Sequence, residues 1–450
     1  MTTTHSLMSL ALLVILAGNG NAKLSSFSAA VEQGLGEESS SILGFEDWEM
    51  SHRNNKNSDK HKHYHSEDER LLRKQIFYRN KVLVEKHNAA YDAGHTSWKM
   101  TLNSPFADLT ADEFSSLYLM DPQECSATTS TNAATVTAPI EKNTLEANDK
   151  TLSVDWRTKG IMTPVKDQGH CGSCWTFSTS GCLEAHTCLA YNKDCTHWKG
   201  LAEQQLVDCA GDFNNFGCDG GLPSQAYEYI KCSGGMDFET SYEYKAADGK
   251  ECLAKDGIVG AKVAEIYNVT SGDEDDLVTA ISQVGPVSIA YQVSPDFRFY
   301  QHGVYDSYNA TSNSIMCNNT NMDVNHAVVA IGLGTTADSK HNNNDDGGTP
   351  FYIVRNSWGT SWGMEGHFWM KRGENLCGVS DCASYPIVPV PSKNKKSTTK
   401  KNRPLKANGE KHPDNNNNYN DSDKEEAATV LVGAAEGGVN THQLPYLRKN

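Results

Sequence analysis

Thirteen cysteines are the feature of this 450-residue chain that most limits how it can fold. Twelve of them lie between Cys171 and Cys382, so a single stretch of sequence carries nearly all the candidate disulfides. Cysteines at this density are typical of proteins that mature in an oxidising compartment, because a reducing cytosol keeps thiols from pairing. The sequence therefore predicts a disulfide-bonded domain that is made in the secretory pathway.

The amino terminus indicates the same route. An apolar run from Leu7 to Ala17 precedes Gly20-Asn21-Ala22, a small-x-small pattern that signal peptidase cleaves. We expect residues 1–22 to be a signal peptide and no membrane span to remain after its removal. A membrane anchor is the alternative, but the run is shorter than the ~20 apolar residues that a spanning helix needs. The destination stays open between a lysosome or vacuole and the extracellular space.

Modification signals and charge narrow the function classes further. Four sequons predict N-glycosylation, at Asn268, Asn309, Asn318 and Asn420. The net charge of -16 argues against a nucleic-acid partner for the whole protein. No paired C-x-x-C clusters with zinc spacing occur, so we expect no metal site, and nothing indicates a cofactor.

Composition divides the chain into segments. Mean hydropathy is -0.56 although 38% of the residues are hydrophobic, so long polar stretches must lie outside the core. Residues 151–390 carry the Trp, Tyr and paired apolar runs of a globular domain. Residues 121–150 are rich in Thr and Ala and are expected to be an exposed linker, and 391–450 a low-complexity, disordered extension. The basic run that opens this extension could bind a polyanion, although a solvated tail is the simpler interpretation.

Two helices are predicted between residues 23 and 120. From 67 to 91, apolar residues such as Phe77 and Val84 recur at helical spacing among many charges. Thr110 and Glu113 have the spacing of a capping box, which predicts a second, short helix. Nearby histidines could gain charge in acid, but a solvated linker is the simpler interpretation. They are His52, His61, His63 and His65.

The strongest chemical signal is Gln168-Gly169-His170-Cys171-Gly172-Ser173-Cys174-Trp175, which leads into a helix-compatible stretch. A cysteine at the start of a helix lies at the positive end of the helix dipole and beside unpaired backbone N–H groups. Both favour the thiolate, which is the nucleophilic form. Cys174 is therefore the candidate nucleophile.

Three further residues complete a catalytic set. His326 opens an apolar, strand-like run about 150 residues later and is the candidate base. Asn356 could accept the other imidazole N–H and fix the direction of the ring. The side-chain amide of Gln168 could fold back over Cys174 and form an oxyanion hole with the backbone N–H of that cysteine. Trp358 either covers the hydrogen bond between His326 and Asn356 or packs in the core.

On these motifs, residues 151–390 resemble the papain-like cysteine peptidases, closest to the cathepsin L type. The resemblance implies an α+β, two-lobed fold with a helical left lobe, a β-barrel-like right lobe and the active site between them. It implies a cysteine endopeptidase that acts on protein and peptide substrates, is monomeric and is blocked by cystatin-like inhibitors. Further matching segments are Val154-Asp155-Trp156-Arg157, Leu201–Cys209, Gly217–Gly221 and Asn375–Gly378.

Residues 23–120 resemble the inhibitory propeptide of the same family. The helix carries the E-R-F-N-I-N spacing, with Val in place of Ile: Glu69, Arg73, Phe77, Asn80, Val84 and Asn88. The G-x-N-x-F-x-D pattern is kept only at Phe106 and Asp108, because Leu102 and Ser104 take the Gly and Asn places. The resemblance implies a zymogen, in which this segment fills the cleft in the reverse direction until acid loosens it.

The resemblance also implies disulfides. The expected pairs are Cys171–Cys218, Cys209–Cys252 and Cys317–Cys377, then Cys188–Cys195 as a local staple and Cys182–Cys232 as a guess. With Cys125 removed in the propeptide and Cys174 as nucleophile, eleven cysteines remain, so at least one must stay free or pair elsewhere. Cys382 has no partner in this set of pairs. By the resemblance, it lies where the family has the floor of its S2 pocket.

The substrate-binding positions implied by the resemblance are mostly apolar, so a hydrophobic P2 residue is expected. They are Gly220, Gly221, Leu222, Pro223, Ala290, Asn325, Ala327, Trp358 and Cys382. Asn325 replaces the Asp that is common before the histidine of the family, which is expected to alter the pH profile without abolishing activity.

The sequence allows two alternatives to an active endopeptidase. A catalytically dead homologue that serves as a binding module is disfavoured, because Cys174, His326, Asn356 and Gln168 are all present. Exopeptidase members of the family carry an added element that blocks one end of the cleft, and no His-His loop follows Gly221. The Asn/Asp/Gly-rich stretch Thr335–Thr349 is expected to be a surface excursion between strands.

Overall fold

The computed structural model describes residues 44–53, 64–125, 144–255, 257–309, 312–320, 322–337 and 348–389. The predicted signal peptide, the extension 391–450, Asn420, His61, His63 and most of the 335–349 stretch lie outside these residues. The described α-helices are α1 Phe45–His52, α2 Glu67–Asp92, α3 Ala111–Tyr118, α4 Cys174–Tyr191, α5 Glu203–Cys209, α6 Pro223–Ser233 and α7 Glu274–Gln283. None of these helices is long and apolar enough to cross a membrane.

The described strands are β1 Trp98–Met100, β2 Val154–Asp155, β3 Glu265–Asn268, β4 Val287–Tyr291, β5 Tyr300–Tyr305, β6 Tyr308–Asn309, β7 Ser314–Ile315, β8 His326–Thr335, β9 Pro350–Arg355, β10 His367–Lys371 and β11 Ser384–Ile387. Nine of them form one sheet in the order β1-β5-β10-β9-β8-β4-β11-β3, with β2 paired to β8. The α+β class is thus confirmed. The barrel-like lobe needs correction, because the two ends of this order do not pair and the described strands close no barrel.

The core lies where α4 packs against β8 and β4. Almost every residue of α4 is buried, and β4 and β8 are buried along nearly their whole length. Strands covered on both faces read as continuous apolar runs, which explains the Ala-Val-Val-Ala-Ile sequence that follows His326. Two serine hydroxyls connect the helix to the strands. Ser178 of α4 donates to the Val328 carbonyl of β8 at 2.7 Å, and Ser288 of β4 donates to the Ser178 carbonyl at 3.0 Å.

Both predicted amino-terminal helices are present. Ser66 caps α2 by accepting the Glu69 N–H, and Thr110 and Glu113 form the expected reciprocal capping box at the start of α3. The buried face of α2 includes Phe77, which packs with Phe45 and Trp48 of α1. These aromatic side chains belong to the same buried cluster as the core of the domain that follows.

This region is tied to the rest of the molecule through β1, which pairs antiparallel with β5 and extends the sheet. Trp98 lies opposite Gly303, whose φ of +94° suits glycine. A Cβ at Gly303 would also collide with the Ser97 carbonyl oxygen. The glycine is thus required for the close approach of the two strands.

The structure contains five disulfides among the described residues. Four join pairs expected from the sequence: Cys171–Cys218, Cys188–Cys195, Cys209–Cys252 and Cys317–Cys377. The Cys182–Cys232 pairing was wrong, since both thiols are free. Cys182 is buried on α4, with its thiol donating to the Pro286 carbonyl at 3.2 Å, whereas Cys232 is exposed near the end of α6.

The fifth disulfide joins Cys125 to Cys382, with Cα atoms 5.6 Å apart. Cys382 is therefore not free and does not offer a thiol to the S2 pocket, which corrects the sequence-based expectation. The sequence-based expectation was that Cys125 leaves with the propeptide. The bond instead attaches residues 121–125 covalently to the domain that follows them.

Candidate active site

Two secondary-structure ends meet at the site. Cys174 is the first residue of α4 and His326 is the first residue of β8, and both are fully buried. The backbone N–H of Ala327 donates to the Cys174 sulfur at 3.3 Å, which holds the start of the strand against the start of the helix. The sulfur therefore lies beside the positive end of the α4 dipole and next to the start of β8, the strand that begins with His326.

The imidazole of His326 is oriented by Asn356. The distance between His326 Nε2 and Asn356 Oδ1 is 2.9 Å, and the same oxygen accepts the Ser357 N–H at 2.8 Å. An amide oxygen can only accept, so Nε2 carries the proton and Nδ1 is the basic nitrogen. Nδ1 is buried without a hydrogen-bond partner among the described residues and is free to exchange a proton with a thiol.

Trp358 covers this pair. Its ring stacks on His326 with centroids 4.7 Å apart and an interplanar angle of 27°. It also packs edge-on against Trp362 at 4.8 Å and is 1% exposed. The indole thus excludes water from the imidazole and at the same time belongs to the core, so the two roles considered for Trp358 are compatible.

Gln168 is held with its amide nitrogen towards the cleft. Its Oε1 accepts the Ser357 hydroxyl at 2.6 Å, so the amide has one orientation. Nε2 then donates to the Cys171 carbonyl and to the Tyr118 carbonyl, both at 2.9 Å. Ser357 was missed by the sequence reasoning, although its position directly after Asn356 could have drawn attention to it.

The amino-terminal region passes directly over the cysteine. The Tyr118 carbonyl accepts a hydrogen bond from Gln168, and the residues that follow make further backbone bonds. The Met120 N–H donates to the Asn325 carbonyl at 3.0 Å, and the Asp121 N–H donates to the Asp219 carbonyl at 2.8 Å. Gln123 and Val324 then exchange two backbone hydrogen bonds, at 2.8 and 3.2 Å. The segment 118–125 therefore crosses the whole cleft and ends at the disulfide to Cys382.

Burial changes the acid-base state of the pair. It raises the pKa of the Cys174 thiol to about 12, although four backbone N–H groups act in the opposite direction. It lowers the pKa of His326 from 6.5 to about 4, against the effect of the Asn356 hydrogen bond. In the described state the pair is therefore a neutral thiol and a neutral imidazole at mildly acidic pH.

Some of the positions expected to bind substrate lie on or next to described helices and strands. Ala290 on β4 pairs with Ala327 on β8, and both are buried. Leu222 and Pro223 begin α6, and the main chain at Gly220 has a φ of +130°. A Cβ at Gly220 would lie 2.8 Å from the Cβ of Met120, so the missing side chain lets the segment approach.

The Asn325 side chain makes two hydrogen bonds to the backbone of Val293. Its Oδ1 accepts the Val293 N–H at 2.7 Å and its Nδ2 donates to the Val293 carbonyl at 3.2 Å. A carboxylate could accept the first bond but not donate the second. Asn325 therefore fastens the start of β8 to the residues after β4 without adding a charge beside His326.

Similarity to known proteins agrees with this geometry. Residues 151–387 match the model of the papain family cysteine proteases, and residues 45–114 match the cathepsin propeptide inhibitor domain. A thiol protease aleurain-like protein of Arabidopsis thaliana is 46% identical over 73% of this chain and 81% of its own length. The Pro-cathepsin H of Bos taurus is 42% identical over 76% of this chain and 89% of its own length.

Solved structures give the same result. The digestive procathepsin L 3 of Tenebrio molitor larval midgut has a TM-score of 0.60 at 30% identity, over 77% of this chain and 99% of that one. The recombinant stem bromelain precursor has a TM-score of 0.58 at 28% identity, over 76% and 97% of the two chains. The cathepsin L type expected from the sequence stays a prediction, since relatives named for aleurain and cathepsin H are also similar. The chain belongs to the papain family of cysteine proteases and carries the inhibitory propeptide domain of the cathepsins.

Proposed function

We propose that Cys174, His326, Asn356 and Gln168 hydrolyse peptide bonds through an acyl-enzyme once the propeptide has left. The observation that carries this proposal is the hydrogen bond between His326 Nε2 and Asn356 Oδ1 beside the Cys174 sulfur. It leaves Nδ1 as the nitrogen that takes the thiol proton. The resulting thiolate lies at the start of α4, where the helix dipole stabilises it.

The reaction then proceeds in two steps. The thiolate sulfur attacks the carbonyl carbon of the substrate, and the oxyanion receives hydrogen bonds from Gln168 Nε2 and the Cys174 N–H. The imidazolium of His326 gives its proton to the leaving amine as the C–N bond breaks, which leaves a thioester. A water molecule that loses a proton to His326 hydrolyses the thioester and restores the thiol.

This chemistry assigns the two halves of the cleft. The leaving amine must lie at His326, so the residues after the scissile bond continue over Trp358; we call this the leaving-group half. The residues before the bond lie along Gly220 and Asn325, which we call the acyl half. The propeptide enters over Trp358 and reaches Asn325 later, so it runs opposite to a substrate.

A hydrophobic P2 residue fits the acyl half best. Leu222, Ala290 and Ala327 are apolar and buried, and Cys382 contributes a disulfide without charge. Burial of a Leu or Phe side chain there is worth about 1.5–3 kcal/mol, whereas a charged side chain would have to lose its hydration.

The Cys125–Cys382 disulfide favours a second candidate activity, the removal of residues from the amino end of a substrate. If processing cuts the chain on both sides of Cys125, the residues that precede it stay bound to the enzyme through Cys382. Their backbone hydrogen bonds to Val324 and Asp219 support a position in the proposed acyl half. A substrate then finds room for few residues before its scissile bond.

The wider setting is also proposed from the sequence and its relatives. We assign the enzyme to the secretory route, with a lysosome, vacuole or the extracellular space as destination, and we expect a monomer inhibited by cystatin-like proteins. The domain limits 1–22, 23–120, 121–150, 151–390 and 391–450 are part of the same proposal. Among the sequons, Asn318 is exposed, whereas the Asn309 side chain donates to Asp296.

Hydrolysis of a blocked Phe-Arg fluorogenic peptide at about pH 5 tests the proposed nucleophile and specificity. We expect the processed enzyme to cleave it, and to cleave a matched peptide with Glu in place of Phe at least tenfold more slowly. Cys174→Ala should lose activity towards both peptides while it keeps the same thermal unfolding temperature within a few degrees. Residual activity of Cys174→Ala equal to that of the parent would refute the assignment.

Gln168 and Ser357 provide a graded test of the oxyanion hole. Gln168→Ala removes a donor and should lower kcat by about 100-fold to 1,000-fold. Ser357→Ala should cause a smaller loss in kcat with little change in KM, because it frees the amide to rotate but leaves the donor in place. Ser357→Thr, which keeps the hydroxyl, is the matched control and should retain most of the kcat. Equal losses in Ser357→Ala and Ser357→Thr would contradict the orienting role.

The tethered segment is tested with Cys125→Ser. In the processed parent, mass spectrometry without reduction should find a peptide containing Cys125 linked to Cys382, and peptides with a free amino terminus should be cleaved faster than blocked ones. Cys125→Ser should lose the segment and gain activity towards blocked, longer peptides. Cys232→Ser removes an exposed free thiol and should behave as the parent. An unchanged ratio of free to blocked peptide cleavage in Cys125→Ser would rule out the second activity.

A further inference from the structure

Arg298 is a buried cation at the edge of the leaving-group half. It lies in the 3₁₀ turn Pro295–Phe299 and is 1% exposed. Its backbone carbonyl accepts the Trp362 indole N–H at 3.1 Å and the Ser104 hydroxyl at 2.7 Å. Trp362 in turn packs against Trp358, so the position of Arg298 is fixed relative to the ring that covers His326.

The propeptide satisfies only part of the guanidinium. Nη2 donates to the Asn80 side-chain oxygen at 3.1 Å, Nη1 donates to the Pro295 carbonyl at 2.5 Å, and Nε is buried without a hydrogen-bond partner. The nearest acid is Asp296, with its Oδ1 3.9 Å from Nη1. Burial accordingly lowers the pKa of Arg298 to about 10, although Asp296 acts in the opposite direction. A neutral amide partner therefore leaves much of the charge uncompensated.

One propeptide side chain connects this cation to the catalytic cleft. The Phe114 ring lies 5.3 Å from the Trp358 ring and 5.9 Å from the Arg298 guanidinium carbon. When the propeptide leaves, Asn80, Ser104 and Phe114 leave with it. The guanidinium then loses these contacts, and it lies at most about three residues of extended chain from Trp358.

We propose that Arg298 selects substrates with an acidic side chain in the leaving-group half, two to four residues after the scissile bond. Propeptide removal frees Nη2, and Nε has no partner even before it. A carboxylate accepts two such N–H groups side by side. The inference rests on the proposed roles of Cys174 and His326, because they define which half of the cleft receives the leaving group. The chemical class of the preferred substrate is an anionic peptide segment.

Matched internally quenched peptides test this specificity. The two peptides of a pair differ only in having Glu or Gln at the second, third or fourth residue after the scissile bond. Mass spectrometry confirms the scissile bond. The assays are run at about pH 6, where Glu is ionised. We expect the processed parent to prefer the Glu peptide by about threefold to tenfold in kcat/KM at one position or more. The preference should shrink in added salt, which screens an exposed ion pair.

Variants then assign the preference to Arg298. Arg298→Met should bring the Glu to Gln ratio to one without lowering kcat/KM for the Gln peptide, and Arg298→Lys should keep part of the preference. Arg157→Met, which removes an exposed arginine paired with Asp155, is the matched control and should behave as the parent. Titration of active sites with an epoxide thiol inhibitor corrects for losses in folding or processing.

The outcomes separate the inference from the peptidase roles. Hydrolysis of the Gln peptide reports on Cys174 and His326 alone. A ratio of one in the parent at all three positions, a preference that salt does not change, or an equal loss for both peptides in Arg298→Met would each overturn the role of Arg298. The parent measurement needs no variant, so the inference can fail even if Arg298→Met does not fold.

Discussion

The contact between the start of α4 and the start of β8 is the interaction on which the rest of the molecule depends. Cys174 and Ala327 are 153 residues apart in the sequence, yet a backbone N–H joins them at 3.3 Å. The helix and the strand are buried together, and the Ser178 hydroxyl bonds α4 to β8 while the Ser288 hydroxyl bonds the neighbouring β4 to α4. A slip of β8 by one residue would turn His326 to the opposite face of the sheet, so strand register is a condition of the chemistry.

The propeptide blocks this site both sterically and electrostatically. It covers the sulfur, takes the Gln168 donor with the Tyr118 carbonyl and removes water from the cleft. Burial keeps Cys174 as a thiol and lowers the pKa of His326 from 6.5 to about 4. Because an exposed His326 titrates nearer 6.5, acid below that value favours states in which the cleft opens. The burial of these two titratable groups is therefore the physical reason why we expect acid to promote activation.

Local patterns in the sequence predicted the features that depend on neighbouring residues. The capping box at Thr110 and the helix that carries Phe77 are read from spacing, because both depend on neighbours within a few residues. The Cys125–Cys382 disulfide was missed, since its partners are 257 residues apart and only the path of the segment through the cleft brings them together. Ser357 and Arg298 were missed for a related reason: the contacts that single them out are with residues distant in sequence, Gln168 for Ser357 and Asn80 for Arg298. The Cys182–Cys232 pair was a guess, and it failed because one thiol is buried and the other is exposed.

The pH dependence of Cys174 alkylation by iodoacetamide, in the precursor and in the processed enzyme, tests the central claim most directly. Both samples would carry Cys232→Ser, and peptide mapping would separate Cys174 from the buried Cys182. The account predicts that Cys174 of the precursor stays unmodified between about pH 5 and 8, whereas the processed enzyme reacts rapidly over the same range because its thiol is exposed and ionised. Equal rates in the two samples would show that propeptide burial does not suppress the thiolate, and would contradict the account.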